Sequence, residues 1–149
     1  MLRQLLLFLH LSSVIVWVGG MFFAYFCLRP AAAKLLEPPQ RLPLWVETFD
    51  PFFRFTAYAV ALILLSGFTM LTQTGFNAAP WGWHLMAALG LVMACVFVYV
   101  YRVLYPQLRL HCDASAWPAG AATLNRIRRL VGVNLLLAVC AVAAVVLSR

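Results

Sequence analysis

Acidic side chains are scarce in this chain. Asp and Glu together number 4 in 149 residues, and all charged residues make up 10% against 65% hydrophobic. A soluble domain of this size needs far more polar surface, so that class is excluded and an integral membrane protein is expected. Cysteine is present but never paired at metal or redox spacing. Cys27, Cys95, Cys112 and Cys140 stand alone, which speaks against a disulfide framework or a zinc site and reads as small buried hydrophobes. There is no HExxH, no Ser-His-Asp set and no phosphate-cradling glycine loop, so hydrolase and nucleotidase chemistry has no carrier. Strict apolar–polar alternation is missing too, which argues against a membrane β-barrel.

What is present is four apolar runs, at about residues 5–28, 53–72, 84–105 and 130–147. Each is close to the ~20 residues a transmembrane helix needs. The fold expected is all-α: a four-helix transmembrane bundle forming a single domain over residues 1–149. The first run is longer than a signal-peptide core and is read as a retained span. Between the runs, two proline-bearing polar stretches (29–52 and 106–129) read as loops, and the short 73–83 connection carries no formal charge.

The net charge of +7 does not point to nucleic acid, because the basic residues flank the spans. Arg29, Lys34, Arg41, Arg54, Arg102, Arg109, Arg126, Arg128 and Arg129 fall on the side of the two polar stretches, and only Arg3 and Arg149 on the other. The positive-inside bias then places both termini on the periplasmic side of a bacterial inner membrane. Arg54 and Arg102 are expected to snorkel from the inner ends of their helices, and Trp81 and Trp83 to form an outer aromatic belt. The lipid bilayer is the expected surrounding.

One histidine, His10, sits inside the first run, where an imidazole needs a partner or a ligand. In this topology the first and third spans run parallel, which brings His84, at the start of the third, to a similar depth. Two such histidines can bracket a flat macrocycle, as bis-histidine ligation of haem iron requires. Ser13 and Trp17 follow His10 on one helical face. Gly19, Gly20, Gly67, Gly90 and Gly132 leave room for close helix packing or for a cofactor ring. Either histidine can instead simply hydrogen-bond a neighbouring helix. A second constellation adds Met70 and Met86 at the same depth, with Met21 and Met93 deeper, and imidazole with thioether suits Cu(I). Asn134, deep in the last span, is expected to hydrogen-bond between helices.

The string Leu9-His10-Leu11, followed by Val16-Trp17-Val18-Gly19-Gly20, resembles the opening span of the CopD-type (copper resistance D) membrane family. Trp83-His84-Leu85 and Arg128-Arg129-Leu130-Val131 fit the same layout. The resemblance implies a four-helix membrane unit with a role in moving copper inward. A more distant similarity is to HemJ-type proteins, haem-b-binding protoporphyrinogen oxidases whose first-span histidine would correspond to His10. Their lysine early in the third span has no counterpart in Trp83-His84-Leu85-Met86-Ala87-Ala88. The function expected is therefore a b-type haem protein with His10 and His84 as axial ligands and Ser13, Trp17, Gly20 and Gly67 lining the slot. One-electron transfer with quinone or a periplasmic redox partner would follow, in a chain that can pair as a homodimer. The alternatives are copper binding or import through His10, His84, Met70 and Met86, and a HemJ-like oxidase.

Overall fold

A computed structural model describes residues 1–148; Arg149, counted above among the outer charges, lies outside the described residues. The chain forms four long helices: α1 (Leu2–Leu35), α2 (Pro38–Thr74), α3 (Trp81–Asp113) and α4 (Trp117–Leu147), each long and apolar enough to cross a membrane. No strand occurs among the described residues. The architecture is the all-α four-helix transmembrane bundle. α1 packs chiefly on α2 and α3 chiefly on α4, so the bundle is two antiparallel hairpins laid together.

The polar stretches read as loops are mostly helix. α1 and α2 are joined by Leu36 and Glu37 alone, and α3 and α4 by Ala114–Ala116, where Ser115 takes a positive φ of 53°. The prolines of these stretches do not end the helices; Pro43 and Pro51 lie inside α2 itself, and the others are accommodated in two ways. Pro38, Pro39 and Pro118 stand in first turns, where a missing N–H costs nothing. Pro30 and Pro106 each follow a π-helical turn, at Phe23–Leu28 and Val100–Leu104. There the N–H of Arg29 reaches the Ala24 carbonyl and that of Tyr105 reaches Val100, five residues back. A proline ring normally collides with the carbonyl four residues earlier. The wider π turn shifts that carbonyl away, so both helices run on past their prolines.

Glycines set the closest crossings, as membrane helices require. Gly82 lies against the Ala144 backbone where α3 meets α4. Gly20 lies under the Phe52 ring, and a side chain on Gly132 would meet Tyr25 at 3.3 Å. Asn134 makes the expected interhelical bond, donating from Nδ2 to the Met93 carbonyl at 3.2 Å.

The core is uneven along the bundle axis. Toward the α1–α2 and α3–α4 links it is a continuous aromatic ladder. Trp45 leads to Phe49, Phe49 stacks on Phe53 at 4.9 Å, and Phe53 meets Tyr105 at 5.3 Å and Phe97 at 6.1 Å. Leu42, Leu104, Leu108 and Ile127 close it with almost no exposure. Toward the termini the same four helices enclose a cavity.

The cysteines depart from expectation. Cys27, Cys95 and Cys140 are exposed on the bundle's flanks and Cys112 is half-buried. A lipid-facing flank is itself apolar, so a thiol there needs no core position. Arg54, exposed, reaches one turn back toward the link end of α2 to pair with Asp50, and Asp50 also accepts from the Tyr105 hydroxyl at 3.3 Å.

Candidate functional site

The cavity at the terminal end has a volume of about 580 Å³ and is walled by residues from all four helices. Its walls are Val, Leu, Ile, Ala and Gly with a few aromatics; no Asp, Glu, Lys or Arg lines it. Val142 and Val146 on its rim are each 59% exposed, so it opens on the flank of the bundle where lipid tails lie. A pocket of this size and polarity is in the range that holds an organic ligand or cofactor.

His10 is the one imidazole in the wall. It is positioned by α2. Its Nδ1 lies 3.1 Å from both the Ile63 carbonyl oxygen and Ser66 Oγ. The Ser66 hydroxyl proton is already committed to the Leu62 carbonyl, 2.5 Å away. Both neighbours of Nδ1 can therefore only accept, so Nδ1 carries the proton and donates. The other ring nitrogen, Nε2, keeps its lone pair. This is how metal-binding histidines are held: one nitrogen tied to a carbonyl, the other presenting an oriented lone pair. Gly67 sets the seat. A methyl group there would come within 3.2 Å of His10 Cε1, and glycine lets the Nδ1–Cε1 edge of the ring approach α2.

The other residues singled out from the sequence divide between the cavity and elsewhere. Trp17, Gly67 and Met86 line it with His10. Ser13 is buried but not in the lining, Gly20 serves the Phe52 contact, and Met70 is half-buried outside it. His84 is exposed and outside the lining; its Nε2–H donates to the Phe76 carbonyl at 3.0 Å and its ring stacks on Phe76. The expected bracketing of one slot by His10 and His84 is thus not what the structure brings together. The reason is helical phase. Trp83, Met86, Gly90 and Met93 form one face of α3, and His84 is rotated by about 100° from Trp83.

The sequence places Met93 only as deeper than the pair Met70 and Met86. It is 4% exposed and lines the cavity with Met86, seven residues earlier on the same face. That i, i+7 spacing was the available signal. Among the described residues no three of His, Cys, Asp and Glu converge as a metal cluster, so any metal held here rests on imidazole and thioether donors.

The family model described as Copper resistance protein D matches residues 46–148. No curated protein and no solved structure matches the chain. The matched stretch takes in most of α2 and all of α3 and α4, while α1 with His10 precedes it. More than half of the chain is covered, and the layout read from the sequence agrees: this multi-pass membrane protein belongs to the CopD family, related to copper resistance.

Proposed function

We propose that the protein takes up Cu(I) in the terminal cavity, with His10 Nε2 as the anchoring ligand and the thioethers of Met86 and Met93 as the softer donors. The observation that carries this reading is the cavity's donor set: one oriented imidazole lone pair and two methionines in a wall without a carboxylate. A divalent or hard ion entering such a wall would lose its hydration with no charge to offset the loss. A monovalent soft ion held by neutral soft ligands loses least, and Cu(I) is that ion. Membership of the copper-resistance family supports the same cargo. In the orientation favoured by the basic flanks, the cavity faces the periplasmic half of the inner membrane and copper enters from that side.

The test is anaerobic titration of purified protein with Cu(I) against a competing chelator. One equivalent should bind, and His10→Ala should weaken binding by about a hundredfold or more. Met86→Leu with Met93→Leu should weaken it while leaving the fold intact. Binding indifferent to His10 would end this reading.

A second reading is favoured by the cavity's volume and apolar walls, which suit a flat macrocycle better than a lone ion. Haem b would be held by His10, with Met86 or Met93, rather than His84, as the further candidate ligand. His10 would hold and orient the ring, and the apolar wall would exclude water from it; the haem would supply one-electron chemistry. A Soret band in the purified protein that disappears in His10→Ala would select this reading over copper.

A further inference from the structure

A second cavity, of about 230 Å³, lies at the opposite end of the bundle between α1, the start of α2 and the first turns of α4. Its polar lining is mostly basic. Arg29, Arg41 and Arg128 all line it, together with Asn125 and Tyr25. All three arginines are half-buried, whereas neighbouring Arg126 and Arg129 are exposed. No acid lines the cavity: Glu37, Glu47 and Asp113 are exposed, and Asp50 is engaged by Arg54. The one salt bridge among the described residues is that Arg54–Asp50 pair. Arg29 lies over the Tyr25 ring, at 5.6 Å.

Three guanidinium groups gathered in a half-buried cleft repel one another, and partial burial makes the repulsion stronger than it would be in water. Such an arrangement is stable when an anion completes it. The donors come from three helices, so they approach the cleft from different sides. A carboxylate is satisfied by one bidentate arginine; this cleft offers more donors than a carboxylate has oxygens, which matches a phosphate group. Its floor of Leu42, Trp45 and Phe49 is apolar, and Arg29 and Arg128 flank the apolar runs 5–28 and 130–147, the boundary at which headgroups meet a transmembrane helix. Basic pockets between transmembrane helices at this boundary are the usual seats of anionic headgroups. The π turn at Phe23–Leu28 contributes directly, since it carries Tyr25 and delivers Arg29 to the cleft.

We propose that this cleft binds a phosphate group, supplied either by an anionic lipid headgroup or by a soluble phosphate. The test uses the full chain in neutral detergent, with thermal unfolding and native mass spectrometry as readouts. The probes are phosphatidylglycerol, diacylglycerol with the same tails, and sodium phosphate against sodium chloride at equal ionic strength. A phosphate-bearing probe should raise the unfolding midpoint by several degrees, and diacylglycerol should not. A response to phosphatidylglycerol alone identifies the lipid as the source; an equal response to sodium phosphate identifies the soluble anion. Combining Arg29→Gln, Arg41→Gln and Arg128→Gln should weaken binding at least about tenfold, since each charged hydrogen bond is worth that order. Arg102→Gln with Arg126→Gln and Arg129→Gln removes the same charge from exposed positions and should leave binding within about twofold. As a check that does not need the triple variant to fold, Arg41→Gln alone should be as stable as the parent, or more so, without anion, and less stabilised with it. The proposal is overturned if neither phosphate probe moves the midpoint, if both triple variants lose binding equally, or if Arg41→Gln is destabilised in the absence of anion.

Discussion

The two halves of the bundle are built from the same four helices but solve opposite problems. The half near the interhelical links is filled: Trp45, Phe49 and Phe53 of α2 interlock with Phe97 and Tyr105 of α3, and Leu42 and Leu108 are fully enclosed. The half near the termini is lined by Gly67, Ala87, Gly90, Ala138 and Ala141 and stays hollow. In lipid there is little hydrophobic drive between helices, so contact density decides where they hold. The aromatic half therefore anchors the bundle. The other half can sacrifice packing for a ligand because the first half holds the helices in place.

The largest effect should come from breaking the filled half. Phe53 is 2% exposed and meets five other rings. Phe53→Ala should cost about 3–5 kcal/mol, measured by reversible unfolding in detergent. If the loss is under 1 kcal/mol, the anchoring role assigned to the ladder is wrong. Copper affinity in molecules that remain folded should change little, because Phe53 does not line the cavity.

Two glycines of the hollow half sharpen the contrast in the opposite direction. A side chain on Gly90 would meet nothing within 4 Å, whereas one on Gly67 would press on His10. Gly90→Ala should stabilise the helix by about 0.5–1 kcal/mol and leave copper binding near normal. Gly67→Ala should displace the imidazole and lower copper affinity by roughly tenfold or more, with a smaller effect on stability. Equal behaviour of the two variants in chelator competition would mean that the seat of His10 does not matter. Gly90→Leu, which fills the space, should raise the unfolding midpoint while lowering uptake.

The spans were legible because length and apolarity alone dictate membrane helices. The link regions were not, because Pro30 and Pro106 look like breaks in one dimension and a π turn that relieves a proline leaves no composition signal. At the cavity, the cost of an imidazole in hydrocarbon pointed to His10. Depth alone then suggested His84, and phase ruled on the geometry: Met93 faces the cavity while His84 faces Phe76. The arginine cleft was hidden for a related reason. Arg29, Arg41 and Arg128 are far apart in the chain and read as topology charges. The π turn at Phe23–Leu28 delivers the first of them, and only the helical form of the link regions brings Arg41 and Arg128 beside it.

The smallest effect expected is at Ser66, and it tests how finely the hollow half is tuned. Ser66 Oγ is one of two acceptors for the His10 Nδ1 proton, the other being the Ile63 carbonyl. Ser66→Ala removes one acceptor and leaves the other, so the tautomer survives and Nε2 keeps its lone pair. Losing an outer partner of a metal-bound histidine typically costs 10–100-fold in affinity; with the carbonyl still in place the loss should be no more than about tenfold. Stability should move by about 1 kcal/mol or less, since Ser66 also gives up its bond to the Leu62 carbonyl. A loss as large as that of His10→Ala would show that the serine, not the backbone, fixes the imidazole. That would shift the origin of the site's order from the fold of α2 to a single hydroxyl.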